Sequence, residues 1–199
     1  MGKNLQITID DGPDPVATAL NGILAEIKTR GVKAAFFNLG QEVKADPAAT
    51  KKIKDDGHVL GNHSWDHLMP NTTSYTDDQI KKQFEDTHAE VIAATVVTMA
   101  HWRAPRGEQI SRLAGILTGR GKLYSLSHCD WHADSKDAQG STTAAQMLAA
   151  IRADIAAQSA RTNFRLLFHV KPTTASALKD VLDGLVADGH TIVDFTQTS

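Results

Sequence analysis

One cysteine, Cys129, in 199 residues leaves no partner for an intrachain disulfide, and a domain of this length needs none. No apolar stretch reaches the roughly 18 residues of a membrane-spanning helix. Basic charge is not in excess: 21 Lys and Arg stand against 23 Asp and Glu, a formal net charge of −2. That balance argues against affinity built on phosphate neutralisation, so a nucleic-acid partner is not expected. Neither a G-x-G-x-x-G turn nor a P-loop is present, and neither Ser64 nor Ser127 sits in G-x-S-x-G, which removes dinucleotide, nucleotide and nucleophile-elbow readings. Aromatic residues are only 6% of the chain, too few for a long aromatic binding platform and pointing to a short, open cleft. The N-terminus carries no signal-peptide pattern, although an exported protein in its mature form looks the same. Histidine is the abundant exception, with nine copies.

Hydrophobic periodicity organises the chain as one domain spanning 1–199. Leu5, Ile7 and Ile9 alternate with Gln6, Thr8 and Asp10, the period of a strand. Leu20, Ile23, Leu24 and Ile27 follow at helical spacing, and Gly31 suits a helix C′ position. The phrase recurs: Asp46-Pro47 opens a helix, Thr76 with Gln79 forms a capping box, Met147, Ile151 and Ile155 stripe another helix, and Leu178 to Val186 forms a last one closed by Gly189. Seven strands are predicted near 5–10, 32–38, 58–62, 98–104, 122–128, 164–169 and 190–195, with 91–99 readable as helix or strand. Alternating βα units predict an α/β fold, a distorted, incomplete (β/α) barrel of about seven parallel strands with outer helices.

In such a barrel, chemistry collects at the C-terminal ends of the strands. Five of the seven predicted ends carry suitable groups: Asp10-Asp11, His63, Arg103, the run His128 to Trp131, and His169. Adjacent Asp10 and Asp11 are expected to diverge, one carboxylate free to ligate a metal and the other to accept a proton; Asp-Asp-Gly-Pro is equally good turn chemistry. His63 and His67 are four apart, so on a helical turn both imidazoles share a face and reach one ion. Two histidines and a carboxylate leave coordination positions open for water and substrate. Arg103 near two carboxylates would orient a base such as Asp10 and lower its pKa; alone it reads as a surface arginine. His169 closes an apolar strand and reads equally as a core histidine with a satisfied partner. Cys129 beside His128 is read as a small buried residue rather than a nucleophile. His58, His88, His101 and His190 are read as structural or exposed, and His132 with His128 as site-lining or solvated.

These residues resemble the polysaccharide deacetylases with a NodB homology domain, carbohydrate esterase family 4. Thr8-Ile9-Asp10-Asp11-Gly12-Pro13 is similar to the family's first motif, and His63-Ser64-Trp65-Asp66-His67 matches H-[ST]-x-x-H in full. Arg103-Ala104-Pro105 matches R-x-P-[YF] before departing at Arg106; Asp130-Trp131 resembles the fourth motif, and Leu167-Phe168-His169 the fifth.

The resemblance implies a hydrolase that removes acetyl groups from N-acetylglucosamine units of chitin, chitooligosaccharide or peptidoglycan-type glycans. It implies one divalent metal, zinc with cobalt or nickel as alternatives, on Asp11, His63 and His67. Asp10 becomes the general base paired with Arg103, and His169 the general acid with Asp130 as its partner. The oxyanion is held by the metal and the backbone N–H after Pro105, while Trp131 and Leu167 wall the acetyl pocket. Arg106, where the family carries an aromatic residue, implies a changed subsite wall that favours anionic or mixed polymers. The loop Ser127 to Ser135 has one Asp before Trp131 where the family commonly has two. The alternatives are an O-acetyl esterase on acetylxylan using the same site, and a catalytically inactive glycan-binding protein. A monomer is expected, secreted or in the cell envelope, with the cytoplasm as the other reading.

Overall fold

The computed structural model describes residues 2–14, 18–67, 75–118, 126–139 and 143–196. Among these residues eight strands share one parallel sheet: β1 (Asn4–Gly12), β2 (Ala35–Asn38), β3 (Val59–Asn62), β4 (His101–Trp102), β5 (Ser127–His128), β6 (Ala133–Asp134), β7 (Asn163–His169) and β8 (Thr191–Val193). The order is β5-β4-β3-β2-β1-β7-β6, with β8 pairing β1. Strand β1 uses one edge twice. Asn4–Gln6 pairs with β8, and Thr8 onward pairs with β2. The ends of the ladder, β5 and β6, have no ladder between them among the described residues. The result is the incomplete (β/α) barrel expected from the alternating pattern.

Among the described residues seven helices lie outside: α1 (Thr18–Arg30), α2 (Gly40–Ala45), α3 (Pro47–Asp55), α4 (Asp77–Thr95), α5 (Ile110–Thr118), α6 (Ala144–Ala157) and α7 (Pro172–Ala187). Their starts follow local chemistry. Asp46 accepts the Ala49 N–H ahead of Pro47, and Thr76/Gln79 and Thr143/Gln146 are full capping boxes. Helix α4 runs to Thr95 and stops at left-handed Val96, so the ambiguous stretch 91–99 is mostly helix. The predicted fourth strand shrinks accordingly to His101–Trp102. Residues 122–125 of the predicted fifth strand lie outside the described residues. Strand β6 was not predicted, because two residues carry no period.

Strand alternation sorts the core into two layers. Leu5, Ile7 and Ile9 of β1 and Phe164, Leu166 and Phe168 of β7 bury against the helices in the main core. The opposite faces look into the barrel, where Phe37, Cys129 and Phe195 form a small apolar plug. In that lumen the β1–β7 register sets Gln6 beside Arg165, Thr8 beside Leu167 and Asp10 beside His169. Gly61 lies under Phe37, where an added Cβ would come within 2.4 Å of the ring. The lumen is therefore packed below, and its polar column emerges at the C-terminal mouth.

Candidate metal centre and its cleft

At the end of β1 the register with β2 slips: Asp10 faces Phe37, but Gly12 faces Asn38. Asp11 takes up the slack with φ 65, a left-handed conformation that Asp tolerates better than most residues. A regular strand would aim the two carboxylates at opposite faces. The bulge instead turns both to the mouth, where Asp10 Oδ2 and Asp11 Oδ1 each lie 3.6 Å from His63 Nε2. The expected divergence is corrected by this left-handed residue.

The His63–His67 segment is not helical. Ser64 and His67 have φ of 70 and 60, and the segment is an irregular loop after β3. Its conformation comes from outside: Asn62 Oδ1 accepts the Ser64 N–H, and the Ser64 and Trp65 carbonyls accept N–H groups of Gly40 and Gln41 in α2. The helical geometry predicted from the spacing is thus corrected, yet the two rings still meet, with centroids 5.0 Å apart.

Asp11, His63 and His67 offer three ligand atoms within 4.8 Å of one another, the one such group among the described residues. Asp11 Oδ1 lies 3.6 Å from both Nε2 atoms, too far for hydrogen bonds, and this buried oxygen has no hydrogen-bond partner. Ligands of a tetrahedral zinc at about 2.0–2.1 Å stand roughly 3.4 Å apart, so the spacing suits three donors to one ion. His63 Nδ1–H donates to the Arg103 carbonyl at 3.0 Å, which leaves Nε2 with its lone pair facing Asp11. Burial drives the His63 pKa down to about 3, keeping it in the neutral form a ligand needs. The residues fit a divalent ion.

Arg103 is fully buried, not a surface residue. Nη1 donates to Asp10 Oδ1 at 2.7 Å and to Thr8 Oγ1 at 2.9 Å, while Nε donates to the Cys129 carbonyl at 2.9 Å. The guanidinium lies 4.1 Å from the Phe37 ring centroid. Burial raises the Asp10 pKa, and Arg103 opposes that rise without cancelling it. Asp10 is consequently a stronger base than a free carboxylate.

His169 finds its carboxylate in Asp137, not Asp130. Its Nδ1 lies 2.6 Å from Asp137 Oδ1, its backbone N–H donates to Asp137 Oδ2 at 2.7 Å, and Thr174 Oγ1 donates to the same oxygen at 2.6 Å. Asp130 spends its side chain on the Trp131 N–H. Asp137 belongs to the loop after the unpredicted β6, which is why the motif position misled. The available signal was small: Asp134 and Asp137 are the acidic residues between Trp131 and α6. Burial works against the charged form of His169, but the Asp137 hydrogen bond and the charges of Asp10, Asp137 and Asp11 push its pKa up to about 8. The bonds to His169 and Thr174 outweigh burial at Asp137 and hold its pKa low.

Asp10, Asp11, His63, His67 and His169 line one cleft of about 320 Å³. Arg106, Trp131 and Leu167 line its walls, together with Asp134 of β6 and Ala138 and Gln139 of the loop that follows it. Arg106 is exposed and left-handed (φ 56), and Gly107 fits under Trp131, where a Cβ would lie 2.7 Å from the indole. Pro105 lies behind the cleft, lining a separate apolar pocket with Ser64, Phe84 and Leu113. The remaining histidines serve the scaffold. His58, His132 and His190 each accept a backbone N–H through Nδ1, and His128 stacks against Trp102. Cys129 is buried with Sγ 3.1 Å from Arg165 Nη1. No described helix is long and apolar enough to cross a membrane.

Comparison with known proteins places this geometry. The sequence model of the polysaccharide deacetylase family matches residues 2–119. The chain is 28% identical over 195 residues to the peptidoglycan-N-acetylglucosamine deacetylase PgdA of Listeria monocytogenes, covering 96% of this chain and 38% of that protein. It is 27% identical over 194 residues to a chitin deacetylase of Amylomyces rouxii, covering 94% of this chain and 44% of that one. The chain therefore spans less than half the length of either relative. A solved mutant of a CE4 family pseudoenzyme of Bacillus anthracis, described as having restored enzymatic activity, matches with TM-score 0.82 and 26% identity. That match covers 98% of this chain and 67% of the other.

Proposed function

Because the chain belongs to the polysaccharide deacetylase family, whose sequence model matches more than half of it, we propose that it is a metal-dependent N-deacetylase. Its substrate is an N-acetylated glycan of the chitooligosaccharide or peptidoglycan type. The observation that carries the reading is the meeting of a three-donor metal group with Asp10 and His169 in one cleft. Relatives named as peptidoglycan and chitin deacetylases support the substrate class. Residues 1–199 act as one catalytic domain, working as a monomer on glycans outside the cytoplasm.

Asp11, His63 and His67 would hold the ion, which we assign as zinc, with cobalt or nickel able to substitute. When bound, a divalent ion supplies Lewis acidity that makes water deprotonable near neutral pH. Asp10 is the base that would accept a proton from the attacking water; Oδ1 is fixed on Arg103 and Oδ2 faces the mouth beside His63. Leu167 and Trp131 enclose the acetyl methyl group. The backbone N–H of Arg106 steadies the developing oxyanion. His169, held at Nδ1 by Asp137, delivers a proton from Nε2 to the departing amine, so acetate and a free amino sugar leave.

The inactive glycan-binding alternative is disfavoured, although one solved neighbour is described as a pseudoenzyme, because Asp10, Asp11, His63, His67 and His169 all line one cleft. Acetate release from a chitooligosaccharide tests the proposal. Release should vanish after chelation and return with zinc. No release in either state, with zinc bound, would overturn it and turn attention to O-acetylated xylan.

A further inference from the structure

The stretch between the two histidine ligands has no hydrogen-bond ladder of its own, since Ser64 and His67 are left-handed. Its carbonyls are taken by α2: Gly40 N–H donates to Ser64 O and Gln41 N–H to Trp65 O, both at 3.0 Å. The N–H groups of the two residues midway, Trp65 and Asp66, converge on one atom, Gln83 Oε1, at 2.9 and 3.3 Å. Gln83 sits half-buried in α4, 16 and 20 residues from His67 and His63 in sequence. One turn on, Thr87 Oγ1 donates to the Gln83 carbonyl at 2.8 Å. Thr87 and the Trp65 ring crowd Gly40 so closely that a Cβ there would come within 2.5 Å of both. The helix is thus docked against the loop, and Gln83 is placed rather than free to swing.

We propose that Gln83 is a positioning residue for the metal centre. Its single amide oxygen gathers two successive backbone donors and so sets how His63 and His67 present their Nε2 atoms to one ion. The inference rests on the metal reading above. The needed chemistry is an acceptor at this point, not an amide as such. Groups that orient metal ligands typically change affinity by roughly 10–100-fold when lost.

The test is zinc affinity by chelator competition for the wild type, Gln83→Leu and Gln83→Glu, with thermal unfolding of each metal-free protein alongside. Gln83→Leu keeps the bulk and removes the acceptor; zinc binding should weaken roughly 10–100-fold at temperatures where the metal-free chain is folded. Gln83→Glu restores an acceptor oxygen and should bind within about threefold of wild type or tighter, well short of that loss. Should Gln83→Leu fail to fold, Gln83→Ala carries the same expectation. Wild-type affinity in Gln83→Leu, or equal weakening in Gln83→Glu, overturns the inference while leaving the metal site intact. A wild-type chain that takes up no zinc overturns the metal reading itself, and this inference with it.

Discussion

His169 and Asp137 share a 2.6 Å contact between Nδ1 and a carboxylate oxygen across 32 residues of chain. Asp137 is fully buried and also receives the Thr174 hydroxyl near the start of α7, where the helix dipole favours an anion. The pair keeps the imidazole cationic up to about pH 8. In the proposed reaction His169 is the general acid and must carry its proton, so kcat/KM should fall as pH rises through that value. Asp137→Asn removes the charge that raises the pKa, and the alkaline limb should move down by about one unit. A pH–rate profile reads the limb, and NMR titration of His169 in the metal-free protein reads the pKa. An alkaline limb that stays put in Asp137→Asn would remove Asp137 from the mechanism.

The Arg103–Asp10 pair makes a stability prediction. Both groups are buried, and removing one partner of such a pair typically costs about 3–5 kcal/mol, because an uncompensated charge is left behind. Arg103→Met should therefore lower the Tm strongly. Asp10→Asn added to Arg103→Met removes the stranded carboxylate and should recover part of the loss. Recovery stays partial, since Arg103 also donates to Thr8 and the Cys129 carbonyl. Thermal unfolding of the four proteins in a double-mutant cycle measures it. A double mutant no more stable than Arg103→Met would mean that Asp10 takes up a proton once Arg103 is gone, leaving no stranded charge.

Strand ends were legible because strands β1 and β7 alternate cleanly, and a parallel α/β arrangement then dictates where Asp10, His63, Arg103 and His169 emerge. What escaped was settled by contacts between distant segments. The spacing of His63 and His67 reads as one helical turn, but Asn62 and the first turn of α2 satisfy the backbone in a left-handed loop instead. Asp11 reads as the next residue of a strand, yet a register slip turns it to the same mouth as Asp10. Asp130 reads as the histidine's partner from its place beside Trp131. Two-residue β6, too short to show a period, carries the chain onward so that Asp137 arrives there.

Acid should unfold the protein through its scaffold histidines. Burial, first among the causes, lowers His58, His88 and His132 to about 4. An unfolded histidine titrates near 6.5, so below that pH the unfolded chain binds more protons than the folded one. Stability should therefore decline progressively as pH falls from about 6.5 toward 4, with little change between pH 7 and 8 from these groups. Urea midpoints of the metal-free protein across that range provide the check. A midpoint flat from pH 7 to 4.5 would contradict the neutral, buried assignment of these imidazoles.

Arg106 separates a specificity role from a catalytic one. Its side chain is exposed on the cleft wall, while its backbone is pinned in a left-handed turn between Pro105 and Gly107. A tyrosine at this position keeps the backbone N–H and removes the cation. Arg106→Tyr should then leave kcat on the best neutral oligosaccharide within about threefold. On acetylated glycans bearing a carboxylate, kcat/KM should drop about tenfold, the equivalent of one charge-assisted hydrogen bond of roughly 1.5 kcal/mol. Comparing acetate release from neutral and carboxylate-bearing oligosaccharides gives the ranking directly. An unchanged ranking would show that the guanidinium contacts solvent rather than substrate, and a collapse of kcat on every substrate would show that the turn itself had been lost.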